Sequence, residues 1–109
     1  MDKMHALTAF AALSQETRLD TLRLLIQAGP DGIPAGNIGE RLGVKQNTMS
    51  ANLAVLAHAG LVRTQREGRS IRYFADFEGV KGLLTYLLHD CCGGRQELCQ
   101  PLFDTVSCC

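Results

Sequence analysis

The first ninety residues contain no cysteine; Cys91, Cys92, Cys99, Cys108 and Cys109 all fall at the end of the chain. A secreted scaffold spreads its cysteines to staple distant segments, and an odd count leaves one unpaired, so a disulfide framework is not expected. In a reducing compartment such residues read as metal ligands or redox thiols. Long apolar runs are missing too, none approaching the roughly 18 residues of a membrane span. The opening MDKMHALTAF lacks the long apolar core of an export signal. A cytoplasmic protein with no membrane partner is expected. Net charge is also absent, with 11 Lys and Arg against 11 Asp and Glu.

What is present is 109 residues, 46% hydrophobic and 20% charged. That is ordinary globular composition and enough for one small domain with a thin core. Helical periodicity dominates the first sixty residues. Leu7, Phe10, Ala11 and Leu13 mark a short first helix. Ser14 is a candidate N-cap for a second, which carries Leu19, Leu22, Leu25 and Ile26 on one side and stops at Gly29-Pro30. DGIPAG reads as a loop. A third helix spans about 35–42 and ends at Gly43; a fourth runs from about 45 to 59 and ends at Gly60. Two short helices joined by a glycine-containing turn form the helix-turn-helix pattern. Beyond Gly60, LVRTQR and RSIRYF read as strands flanking a Glu67-Gly68 turn, a hairpin wing. A last helix from about Glu78 carries Val80, Leu83, Leu84, Leu87 and Leu88. The fold expected is mainly α with a small β-hairpin wing, in the order ααααββα.

The fourth helix divides its faces. Met49, Leu53 and Leu56 fall on the side that seats in a core, and Asn47, Ser50, Ala51, Ala54 and His58 lie roughly opposite. Polar and small side chains at the leading end of such a helix suit the major groove, so Lys45, Gln46, Asn47, Thr48 and Ser50 are the candidates for reading double-stranded DNA. Between Lys45 and Ala75 five basic residues face one acid, giving +4, with −4 over the rest of the chain. That asymmetry is the footprint of a polyanion-binding surface. Arg66 and Arg69 flank the wing tip, within reach of phosphates. Arg63 and Arg72, nearer its base, are expected to pair with Asp76 or Glu78. Tyr73, Phe74 and Phe77 read as packing rather than base stacking, and Met4 and Met49 as apolar fillers. His5 and His58 read as ordinary histidines.

ETRLDTLRLL, GERLGVKQNTMSANLAVLAHAGLV and REGRSIRYF together resemble the ArsR/SmtB family of metal-sensing winged-helix repressors, over most of residues 5–90. The resemblance implies a homodimer formed through the first and last helices, released from operator DNA by an effector. It makes Leu7, Phe10, Leu83, Leu84, Leu87 and Leu88 candidates for that interface as well as for the core. Where many members carry a basic residue and His, this chain has Ala51-Asn52. The family's cysteine site at the start of the helix-turn-helix is missing from NIGERLGV. Its zinc site along the last helix is missing from EGVKGLLTYLLHD, which offers His89 with Asp76, Glu78 and Asp90. The tail HDCCGGRQELCQ is similar to that of arsenic-responsive members whose site lies in the C-terminal region.

Thiolates are soft ligands and favour thiophilic ions. Adjacent side chains on a helix diverge by about 100°, so Cys91 and Cys92 do not converge there. Gly93-Gly94 ends the helix and lets the chain return Cys99 toward them. Three sulfurs at Cys91, Cys92 and Cys99 suit trivalent arsenic or antimony, each forming three strong bonds; zinc, cadmium or lead would recruit a fourth ligand such as His89. Cys108 and Cys109 stand outside this core site. The division expected is 1–90 for DNA binding and dimerisation and 91–109 for metalloid sensing, with no obligatory cofactor. The function expected is a metalloid-responsive transcriptional repressor that derepresses a resistance operon. A thiol redox or persulfide switch on the same fold, and a metal carrier, are the rival readings. An enzyme is not expected: there is no CxxC or HExxH. The positions six after Cys91, Cys92 and Cys99 are Glu97, Leu98 and Thr105 rather than the arginine of an anion-cradling loop.

Overall fold

The computed structural model describes residues 1–88 and 100–101. Cys91, Cys92, Cys99, Cys108, Cys109, His89 and Asp90 lie outside the described residues, as does nearly all of the segment 91–109 assigned to sensing. Among residues 1–88, five α-helices, a one-turn 3-10 helix (Gly29–Asp31) and three strands are formed: α1 (Lys3–Leu13), α2 (Glu16–Ala28), β1 (Ile33–Pro34), α3 (Ala35–Leu42), α4 (Gln46–His58), β2 (Val62–Glu67), β3 (Ser70–Ala75) and α5 (Phe77–Leu88). No helix among the described residues is long and apolar enough to cross a membrane.

Helix α1 starts at Asp2, whose carboxylate accepts the His5 backbone N–H at 2.9 Å and approaches His5 Nδ1 at 2.8 Å. The backbone bond, and then the side-chain bond, hold the Asp2 carboxyl below the usual carboxylate range. The folded chain therefore favours the ionised form, so this cap is intact at neutral pH and is lost as pH falls through that depressed pKa. Protection of the His5 amide, its exchange rate relative to an unstructured chain at the same pH, is expected to fall over that acidic window and to stay constant above it.

The inward face of α1 is built from Ala6, Ala9 and Ala12, not from its larger apolar residues. Small side chains let α1 lie close on the core and leave Leu7 and Phe10 outside. Ser14 caps the end of α1, and it is the Gln15 side chain that accepts the Arg18 N–H to start α2. Helix α2 buries Thr21, Leu22 and Leu25, while Leu19 and Ile26 are exposed. Thr21 enters the core because its hydroxyl donates to the Thr17 carbonyl at 2.6 Å, which removes the cost of a buried polar group.

DGIPAG is not wholly loop. Ile33 and Pro34 form β1, which pairs antiparallel with Tyr73 and Arg72 of β3. The sheet order is β1-β3-β2, so β1 and β2 are its two margins. The register pairs Glu67 with Ser70, which places the two-residue turn at Gly68-Arg69, one position later than the sequence suggests. Gly68 supplies the positive φ there, 63°. Helix α4 closes with the Gly60 N–H bonded to the Ala57 carbonyl and the Leu61 N–H reaching back to Leu56. Helix α5 then starts at Asp76, whose carboxylate accepts the Gly79 N–H at 3.1 Å. Its Gly79 lies so close to the Gly60 carbonyl that an added Cβ has no room.

Candidate nucleic-acid interface

The helix-turn-helix is α3, a tight turn and α4. Gly43 ends α3 in the left-handed region at φ 67°, and the Val44 N–H returns to the Gly39 carbonyl at 2.9 Å. Gly39 permits that approach: a Cβ there would sit 2.9 Å from the Val44 carbonyl oxygen. From this turn α4 emerges with Met49, Leu53 and Leu56 fully buried. The three side chains fix the rotation of the helix about its axis. Lys45, Gln46, Asn47, Thr48 and Ser50 are consequently all exposed, as are Ala51, Ala54 and His58. Asn47 accepts the Thr48 backbone N–H at 2.9 Å through Oδ1, which leaves its amide N–H groups as donors.

The wing sorts its four arginines into two pairs. Arg63 stacks on the buried Phe74 ring, 4.4 Å from the centroid. Arg72 binds Glu67 at 3.0 Å and the Asp31 carbonyl at 3.1 Å, tying the hairpin to the turn before β1. Neither arginine uses Asp76 or Glu78, since Asp76 is committed to capping α5. Arg66 and Arg69 form no ion pair among the described residues. Arg69 sits in the hairpin turn itself and Arg66 at the end of β2, both exposed. Two cations are therefore held by the fold, and two are presented at the tip.

Residues 13–65 match the family model described as a helix-turn-helix domain. A curated relative, the uncharacterized HTH-type transcriptional regulator YbzH of Bacillus subtilis, is 32% identical over 96 residues, covering 77% of this chain and 96% of that protein. The solved ArsR-like transcriptional regulator of Rhodococcus sp. RHA1 superposes with a TM-score of 0.71 at 27% identity, over 95% of this chain and 93% of that one. The homodimeric winged helix-turn-helix DNA-binding domain Mb0332 of Mycobacterium bovis, a possible ArsR-family regulator, gives a TM-score of 0.61 at 29% identity, over 78% and 83%. The chain belongs to the HTH-type regulators of transcription, and ArsR-like regulators are among the solved structures it resembles. Its relatives are regulators rather than enzymes.

In this HTH-type regulator, α1 and α5 carry an apolar surface that the other described residues leave exposed. Met4 is 69% exposed, Leu7 and Leu87 54% each, Leu84 48% and Phe10 40%. Of the α5 leucines only Leu83 is in the core, and Phe77, expected to pack inside, is half exposed. Met49 fills the core as expected, but Met4 does not. No group of three or more His, Cys, Asp or Glu side chains among the described residues is placed to hold a metal ion.

Sequence reasoning missed the role of Asn52. It is a buried polar residue on the inward face of α4, and its Oδ1 accepts from the Arg18 guanidinium at 3.2 Å. The same guanidinium donates through Nε to the Ala12 carbonyl at 2.6 Å. The available signal was an amide on the same helical stripe as Met49 and Leu56.

Because the Arg66 and Arg69 side chains form no ion pair or hydrogen bond among the described residues, their removal tests the surface cleanly. Arg66→Ala and Arg69→Ala are each expected to weaken binding about equally on all DNA sequences, and to shallow the salt dependence by about one unit per lost phosphate contact. Titrations of two unrelated duplexes at several salt concentrations measure this. A loss confined to one duplex would assign the arginine to base reading instead.

Proposed function

We propose that this regulator is a homodimeric cytoplasmic repressor that binds operator DNA without its effector and releases it on capturing trivalent arsenic or antimony. The observation that carries the DNA half is the joint exposure of the α4 leading edge and the two unpaired wing-tip arginines. Lys45, Gln46, Asn47, Thr48 and Ser50 would meet base edges and phosphates in the major groove, and Arg66 and Arg69 the flanking backbone. The uncovered apolar face of α1 and α5 supports a two-fold dimer with two recognition helices on one duplex.

The sensing half rests on the donor set. Cys91, Cys92 and Cys99 offer three soft sulfurs within nine residues, which matches the three-bond demand of a trivalent metalloid. Residues 1–90 would bind and dimerise, and 91–109 would sense. Release requires the ion to bind free protein more tightly than the DNA complex. A change at the end of α5 would reach DNA by altering the spacing of the recognition helices across the dimer.

The test is binding to a duplex from upstream of the regulator's own gene, for wild type and a Cys91→Ser/Cys92→Ser/Cys99→Ser variant, with and without arsenite. Both proteins are expected to bind, and only wild type to let go. Eviction of the variant by arsenite sinks the proposed site. Release of wild type by mild oxidant or zinc, and not by arsenite, transfers the site to the redox or divalent-metal reading.

A further inference from the structure

We infer that Arg18 and Asn52 form a clasp that sets the pitch of the recognition helix, and thereby the sequence selectivity of binding. The inference deepens the DNA-binding reading above and rests on it. One guanidinium reaches two elements at once: Nε donates to the Ala12 carbonyl in the last turn of α1, and an η nitrogen donates to Asn52 Oδ1 on α4. Arg18 itself is fixed at the first turn of α2, where its backbone N–H is bonded to the Gln15 side chain at 2.9 Å. Three helices meet at one side chain.

The chemistry suits the position. A guanidinium is a rigid planar fork, so its two bonds fix the relative direction of their acceptors as well as their distance. The carbonyl-rich end of α1 is the negative end of that helix and favours a cation. Asn52 is only 7% exposed and Arg18 is half-buried, so both bonds are shielded from competing water. Leu53 and Met49 fix rotation about the α4 axis through packing, but apolar contacts are not directional. The amide at Asn52 adds the directional constraint. It lies one to two turns behind Gln46, Asn47 and Thr48, the residues that must meet base edges within hydrogen-bond tolerance.

Selectivity and affinity separate here. The wing-tip arginines stand on β2 and its turn, bound to neither Arg18 nor Asn52, so phosphate contact survives when the clasp opens. Base reading does not survive equally well, because an α4 free to rock is competent for only a fraction of the time, and apparent affinity falls by that fraction. Arg18 and Asn52 are positioning residues and touch no DNA.

The experiment enriches a duplex from a random pool with wild-type protein, then compares its affinity with that of a shuffled duplex at one salt concentration. Asn52→Leu keeps the volume and removes the acceptor; Arg18→Lys keeps the charge and removes the fork. Each is expected to lose about tenfold on the enriched duplex and to stay within about twofold on the shuffled one. The double variant is expected to lose no more than either single one, because both changes open the same link. Circular dichroism and gel filtration establish that each variant is folded, and R18K carries the test should N52L not fold. An unchanged ratio of enriched to shuffled affinity in a folded variant overturns the clasp, as do losses that simply add. Failure of wild type to enrich any duplex is a separate result: it overturns the DNA-binding reading and the inference with it.

Discussion

Leu7→Gln and Leu87→Gln made together are expected to give a folded monomer whose hold on specific DNA drops by about two to four orders of magnitude. Both leucines are more than half exposed in the single chain, so neither supports its fold, and exposed substitutions of this kind usually change stability by only about 0.5 kcal/mol. Across a two-fold axis the pair becomes four leucines. Full burial of an exposed leucine contributes about 1.5–3 kcal/mol, and about half of that is still to be gained here, so the double change removes roughly 3–6 kcal/mol from the proposed interface. A dimer of micromolar affinity holds about 8 kcal/mol in total, so it dissociates at micromolar concentration after that loss. Glutamine preserves helix propensity and the zero net charge, which keeps electrostatic steering out of the comparison. Sedimentation equilibrium reads the oligomer and fluorescence anisotropy reads DNA affinity. A dimer persisting at micromolar concentration would move the interface away from α1 and α5.

The second large effect is a contrast between two glycines of α5 three residues apart. Alanine is favoured over glycine inside a helix by about 0.5–1 kcal/mol, so propensity alone predicts that both substitutions stabilise. At Gly82 the new methyl would lie 3.6 Å from the Met1 side chain, an ordinary contact, and Gly82→Ala is expected to gain that amount. At Gly79 it would land on the Gly60 carbonyl. That carbonyl belongs to a tight turn with Gly60 at φ 78°, and backbone cannot step aside as a flexible side chain does. Overpacking of this kind costs about 1–3 kcal/mol, which outweighs the propensity gain. Gly79→Ala should therefore melt several degrees below wild type and Gly82→Ala several degrees above it. Thermal unfolding followed by circular dichroism measures both. If Gly79→Ala melts higher than wild type, α5 does not dock against the α4–β2 turn as described.

Much of the architecture was legible because one rule, apolar spacing at helical period, governs most of it. Met49, Leu53 and Leu56 identify the inward side of α4, and that side determines which residues are left for DNA. The rule failed where side-chain size or polarity misreports burial. In α1 the buried face is alanine, so the conspicuous Leu7 and Phe10 mark the outside. In α2 a threonine is buried and two of the four expected apolar residues are not, because the Thr21 hydroxyl finds a carbonyl within its own helix. Two residues of strand were invisible in DGIPAG, since β1 exists only through its pairing with Tyr73 and Arg72. The interface was legible by type and less so by partner. The wing arginines could be found from composition, but which pair the fold retains depends on Phe74, Glu67 and the Asp31 carbonyl being brought together in space. The Arg18–Asn52 bond spans 34 positions and leaves no local pattern to read.

The margins of the small sheet have a consequence for the chain in bulk. Unpaired strand edges invite further strands from other copies of the chain. On one margin, β1 is two residues long and ends in Pro34, which has no N–H to offer an incoming chain. On the other, β2 presents Arg63, Arg66 and Glu67, whose charges disfavour stacking in register. Side chains suited to gripping a polyanion thus double as gatekeepers against fibril growth, and neutralising the wing would cost colloidal stability as well as grip.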